Sequence, residues 1–181
     1  MAPLSLPYFA NDQTLSATLP TVHEIESSVE VFSETTRRKV VGVGTHYVVK
    51  YGVQVLLFEG ETQLFVAQST LIPAPMIYAL FQKPATDTTA TTTYIVMERI
   101  NGPTLEQVWP RLDSAAKETI AFQLKTIVGD MRKLPSPGRY CGVGNQALPD
   151  GVFWTADPSH PYAGPFGTEA ELNEATLQKY I

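Results

Sequence analysis

The sequence predicts an α+β fold, a mostly antiparallel sheet with one helix inserted over the first hundred residues and helices after it. Three observations predict it. Runs of β-branched and aromatic residues at 38–51 and 94–97 read as strands. A helical pattern at 54–69 lies between them. Beyond residue 103 the apolar residues recur at helical spacing instead.

Taken in order, residues 1–28 carry Pro3, Pro7 and Pro20 among small polar residues and read as a partly disordered arm. Thr21 to Ser28 suits a short helix inside it, and Val29 to Phe32 starts a strand by its alternation. Val40, Val41, Val43, Tyr47, Val48 and Val49 predict two antiparallel strands, 38–43 and 46–51, joined by a tight turn at Gly44-Thr45. Gln54 to Ser69 reads as a helix with Leu57, Leu64 and Phe65 on one face. Ile72-Pro73-Ala74-Pro75 stops it, and the extended segment 76–81 pairs as a hairpin with a strand at 94–97.

Asn101-Gly102-Pro103 breaks the chain. A short helix from Thr104 to Trp109 ends at Pro110, and Asp113 caps a long helix running to about Leu134. That helix carries Ala116, Ile120, Leu124, Ile127, Val128 and Met131 as an apolar stripe. Residues 138–167 lack periodicity, and Thr168 with Glu171 then forms a capping box that opens a last helix. The domain reading is an arm at 1–28, a sheet lobe at 29–102 and part of a helical lobe at 103–181.

Composition excludes several classes. At 44% hydrophobic and 17% charged, the chain has material for a core and is not generally disordered. A net charge of -5 argues against sequence-independent nucleic-acid binding, although it leaves room for a nucleotide held by one lysine. No apolar run approaches the roughly 20 residues needed to span a bilayer, and the first 20 residues lack a basic residue. Cys141 is the only cysteine, so it forms no intramolecular disulfide and no Cys-based zinc site. A soluble cytoplasmic protein with no membrane or nucleic-acid partner is expected.

The chemistry centres on Lys50. It shares a strand face with Val48, and on a covered face an ammonium needs an anionic partner. Glu61 falls in the apolar stripe of the following helix, four residues after Leu57 and three before Leu64. A carboxylate there is costly unless paired, which makes Glu61 the expected partner of Lys50. Glu59 fits solvent exposure better. A strand lysine followed by a helix glutamate is the pair protein kinases use to hold ATP phosphates. The strand ending at Met97 runs into Glu98-Arg99-Ile100, whose backbone can meet an adenine edge while Met97 guards the rear of the pocket. Gly42-Val43-Gly44-Thr45 falls short of Gly-x-Gly-x-x-Gly and reads as hairpin punctuation more than as a phosphate cradle.

Several blocks in order carry a resemblance: Val-Val-Lys-Tyr-Gly, Glu-x-x-x-Phe-Val-Ala, Ile-Pro-Ala-Pro and Tyr-Ile-Val-Met-Glu-Arg-Ile-x-Gly-x-Thr-Leu. Leu134-Pro135-Ser136-Pro137 and Gly164-Pro165-Phe166 extend it. The chain resembles the aminoglycoside-phosphotransferase-like family, especially its fungal members, over residues 38–181. The resemblance implies a protein-kinase-like fold, with a sheet-and-helix lobe followed by a mainly helical one. It also implies ATP and Mg²⁺ as cofactors and a small-molecule hydroxyl of unknown identity as acceptor. By the same resemblance Lys50 contacts phosphate with Glu61 as its helix partner. Val48 and Met97 line the adenine pocket, and the backbones of Glu98 and Ile100 bond the adenine edge.

The family's catalytic loop, His-x-Asp-x-x-x-x-Asn, is not in the sequence: none of His23, His46 and His160 begins it. The last helix reaches Ile181 without a stop signal, so the expectation is a chain interrupted before its catalytic loop, with no catalytic or metal-binding residue of its own. Asp150 and Asp157 read as loop residues, His160 as a surface histidine, Trp109 and Trp154 as packing anchors, and Cys141 as an inert thiol. The leading expectation is an incomplete kinase-like phosphotransferase domain, with weak or no ATP binding and no transfer by this chain. A non-catalytic pseudokinase-like module and a plain α+β domain with an ordinary Lys50–Glu61 ion pair are the competing readings.

Overall fold

The structure, a computed structural model, describes residues 5–86, 90–149, 153 and 163–178. Leu6–Leu134 forms one compact unit, and the described residues from Pro135 onward belong to a second.

The first unit is built on six strands: β1 (Tyr8–Phe9), β2 (Val31–Thr35), β3 (Arg38–Val43), β4 (Tyr47–Gly52), β5 (Ile77–Lys83) and β6 (Thr92–Glu98). They lie in the order β1-β5-β6-β4-β3-β2, every neighbour antiparallel. The β3–β4 hairpin turns where the sequence predicts, with Gly44 at φ 59, a conformation glycine adopts without penalty. The β5–β6 hairpin also forms, and part of its connection, 87–89, lies outside the described residues. β1 and β2 are the two edge strands; all residues of β2 are exposed, and its register to β3 shifts between Val31 and Ser33.

One helix connects β4 to β5: α2 (Leu57–Ser69), the second in the chain after α1 (Val22–Glu26). It starts three residues later than its apolar pattern suggests. Gln54 N–H donates to the Arg37 carbonyl at 3.2 Å and Val55 N–H to the Gly52 carbonyl at 3.3 Å, which hold this stretch against the β2–β3 turn. Gly52 has φ 145, and a Cβ there would lie 2.2 Å from the Arg37 oxygen.

Strand alternation divides the side chains between two faces. On the first, Val41, Tyr47, Val49, Tyr78, Ala79, Tyr94 and Val96 pack with Ile25 of α1. Phe9, Phe81, Tyr94 and Tyr51 form a ladder across β1, β5, β6 and β4, with successive centroids 5.9, 5.0 and 5.5 Å apart. Each such contact is worth about 0.5–1.5 kcal/mol beyond area burial.

The described part of the N-terminal arm, residues 5–28, packs on the sheet. β1 adds a strand, α1 carries a Thr21–Glu24 capping box, and Leu15, Leu19 and Val22 pack on the core beside fully buried Ile25. The Tyr47 hydroxyl donates to the Ala17 carbonyl and ties this segment to β4. Its apolar anchors follow the sheet surface rather than a helix or strand period, so no periodic pattern marks them. Residues 1–4 lie outside the described residues.

α2 covers the second face. Its buried positions are Gly60 and Leu64, while Leu57 and Phe65 are half-buried. Gly60 seats on Leu80 of β5, whose Cδ1 would stand 2.7 Å from an added Cβ.

After the sheet come α3 (Leu105–Val108), capped by Thr104 and Gln107, a 3₁₀ turn at Trp109–Arg111, and α4 (Ser114–Met131). Pro110 does not end the turn, because its missing N–H is not needed at the start of a helix. Asp113 caps α4 as predicted, accepting the Ala116 N–H at 2.8 Å. Leu124, Val128 and Met131 of the α4 stripe are exposed. Trp109 is not the packing anchor expected: it is 40% exposed, with the Lys117 ammonium 5.5 Å from its ring centroid.

In the second unit Tyr140 and Phe166 exchange two backbone hydrogen bonds of 2.9 Å, and Phe166 is buried. α5 (Glu169–Gln178) follows. Thr168 Oγ1 accepts the Glu171 N–H at 3.2 Å, as a capping box requires, but the Glu171 carboxylate accepts the Gly167 N–H at 2.8 Å. Cys141 is half-buried and free. Asp150, Trp154, Asp157, His160 and Ile181 lie outside the described residues. Among the described residues, no helix is long and apolar enough to cross a membrane.

Candidate functional site

Register gathers three of the sequence-predicted residues, Val48, Lys50 and Met97, on the second face. Val48 of β4 stands opposite Met97 of β6, and Lys50 opposite Ile95. On the other side of β4, Gly42 opposes Val48 and Val40 opposes Lys50. Opposed residues of an antiparallel pair project to one face, so Val48, Lys50, Ile95 and Met97 form one patch. Leu80 opposes Ile95, and α2 seats on Leu80, so the helix crosses this same face.

Lys50 meets α2 through Glu59, not Glu61. Its Nζ donates to both Glu59 carboxylate oxygens, at 2.6 and 2.7 Å. The expected Lys50–Glu61 pair is therefore corrected by two residues. Because α2 starts at Leu57, Glu59 lies in its first turn, just after the chain leaves β4. With Gly60 and Leu64 turned to the sheet, Glu61 stands half-buried farther along the helix. The first turn also favours a carboxylate, because the helix dipole is positive there. The Lys50 side chain is 21% exposed and that of Glu59 45%, so the pair lies at a rim and contributes about 1 kcal/mol or less.

Val48 and Met97 are half-buried, leaving an apolar surface beside the ammonium. The Glu98 N–H donates to the Met76 carbonyl at 2.8 Å and is engaged within the sheet. The Met76 N–H donates to the Glu98 carboxylate at 3.2 Å rather than to its carbonyl. Of the Glu98 backbone, the carbonyl is thus the group suited to an external donor. Ile100 follows the last strand bond, Arg99 N–H to His46 carbonyl at 2.9 Å, and is 64% exposed.

Two charged residues not singled out in the sequence frame the end of this face. Arg99 donates to Glu30 through Nη1 and Nη2, both at 2.6 Å. The Arg99 hydrogen bond holds the Glu30 carboxyl below the usual carboxylate range, and Glu30 raises Arg99 in return. Gly42, inside β3, is the signal that could have found them, since a mid-strand glycine marks close approach of other groups. A Cβ on Gly42 would fall 2.3 Å from Glu30 Oε2. Gly42 N–H donates to the Glu30 carbonyl at 2.9 Å, so Gly42 and Gly44 serve the hairpin and its neighbours.

The described residues supply no magnesium site of their own. Among the described residues, no three or more histidine, cysteine, aspartate or glutamate side chains stand together as metal ligands. No protein-family profile, curated protein or solved structure matches the chain.

Proposed function

We propose that the sheet-and-helix region is the nucleotide-holding lobe of a kinase-like phosphotransferase of the aminoglycoside-phosphotransferase-like kind, whose reaction is ATP-dependent phosphoryl transfer to a small-molecule hydroxyl. One observation carries this reading: the Lys50–Glu59 pair joins β4 to the helix crossing the same face, beside the half-open surface of Val48 and Met97. In this reading the Lys50 ammonium meets phosphate oxygens and Glu59 holds it in place. Val48 and Met97 flank the base, while the Glu98 carbonyl and the Ile100 N–H meet its edge.

Transfer further requires an aspartate to orient the acceptor and ligands for the metal. The 181 residues contain no His-x-Asp-x-x-x-x-Asn, so this chain holds nucleotide weakly and transfers nothing. The paired lysine without that loop also suits a non-catalytic, pseudokinase-like binding module. The reading frame downstream of Ile181 separates the two: an in-frame catalytic loop supports the enzyme, and an authentic stop codon supports the module.

The nucleotide reading is tested by titrating ¹⁵N-labelled chain with ATP. Small, saturable shifts are expected at the amides of Val48, Lys50, Met97, Glu98 and Ile100. Lys50→Met should abolish them and leave the spectrum elsewhere unchanged. Shifts scattered over the surface, or surviving that substitution, would overturn it.

A further inference from the structure

We propose that Arg99 is a positioning residue: clamped to Glu30 across the end of the sheet, it holds the segment leaving β6 so that the Glu98 carbonyl and Ile100 N–H keep their place at the edge of the Val48–Met97 patch. The part concerning ligand rests on the nucleotide reading above.

The chain leaves the sheet here. Ile100 is exposed, and Gly102 follows at φ 145, so the segment needs an anchor if its backbone groups are to stay aimed. The Arg99 side chain supplies one. Besides its two bonds to Glu30, Nη1 donates to the Gly44 carbonyl at 3.0 Å. Its guanidinium carbon stands 5.5 Å from the Phe32 ring centroid. One side chain thus ties the exit of β6 to the β3–β4 turn and to the approach of β2.

The clamp belongs to the face that carries Lys50. Gly42, whose missing Cβ makes room for Glu30 Oε2 and stands 2.9 Å from Arg99 Nη1, opposes Val48, and Val48 opposes Met97. The pair therefore bounds the end of the patch formed by Val48, Met97 and Lys50. A planar fork that grips a carboxylate with two parallel bonds fixes orientation as well as distance. Lysine carries the charge but lacks the fork, and it would restore the clamp only in part.

The test compares the full chain with Arg99→Met, Arg99→Lys, Glu30→Gln and the charge swap Glu30→Arg with Arg99→Glu. Amide hydrogen exchange is read first, without ligand. Arg99→Met and Glu30→Gln should speed exchange about tenfold at the Arg99 and Gly42 amides and leave β5 unchanged. Arg99→Lys should fall between, and the swap should recover most of the protection. Unchanged exchange at Arg99 and Gly42 overturns the proposal. Equal acceleration in every strand also overturns it, because that marks a general loss of stability.

ATP and inorganic tripolyphosphate are then titrated separately. Arg99→Met should weaken ATP binding several-fold and leave tripolyphosphate, which has no base to meet the segment, bound as in the wild type. Equal weakening of both, or of neither, overturns the positioning role. A wild type that answers neither probe sinks the nucleotide reading instead, and the exchange data then decide whether the clamp holds the segment.

Discussion

On one face of the sheet Val41, Val49, Tyr94 and Val96 are shut away from water by α1 and the segment before it. On the other, Val48, Lys50 and Met97 keep part of their surface exposed beside α2. The same strands build both faces, because neighbouring residues along a strand point opposite ways. Val49 belongs to the core and Lys50 to the open side. Apolar burial on the first face supplies the stability that lets the second keep an ammonium and an unfilled apolar surface.

Removing core from the closed face should have the largest effect. Ile25 is fully buried, and Ile25→Ala should cost about 3 kcal/mol in urea unfolding. A loss below about 1 kcal/mol would show that the N-terminal segment does not seal the sheet.

A smaller effect is expected at Tyr94, whose hydroxyl donates to Glu26 Oε1 at 2.5 Å. Tyr94→Phe removes that bond and should cost about 1 kcal/mol at neutral pH. Burial, and then the Glu26 bond, push the Tyr94 hydroxyl well above the usual tyrosine range. A raised folded value means that the wild type has this contribution in full below about pH 10 and loses it as the pH climbs toward the folded value. The alkaline fall in stability should therefore flatten in Tyr94→Phe. It should not vanish, because burial also raises Tyr51. An unchanged slope would break the assignment.

The smallest change in stability is expected on the open face. Lys50→Met should shift unfolding by less than about 1 kcal/mol, since its partner Glu59 is 45% exposed. The same substitution should erase the response to ATP. A variant that fails to fold would mean that Lys50 belongs to the core.

The strands were legible because Val40, Val41, Val43 and Tyr47 to Val49 carry a strong local signal, and the turn between them needs Gly44. The phase of α2 was not. Counting apolar residues from Gln54 sets Glu61 among Leu57, Leu64 and Phe65, whereas the helix begins at Leu57 and buries Gly60 with Leu64. Glycine contributes nothing to a hydropathy stripe; its role appears only when Leu80 is placed against it. The apolar count therefore leads from Lys50 to the right helix but to the wrong carboxylate. The Arg99–Glu30 clamp joins residues 69 apart in sequence, a separation that no local pattern reports.

The free edge at β2 bears on how the molecule behaves among its own copies. Val31 and Phe32 are exposed on a strand that ends the sheet, which invites another chain to add a strand there. The break in register at Val31 and Ser33 bends that border, and Glu34, Arg37, Arg38 and Lys39 crowd its far end with charge. A straight intermolecular ladder would have to flatten the first and bring the second into contact. The same kink and charges that look like imperfections of the sheet thereby guard it against self-association.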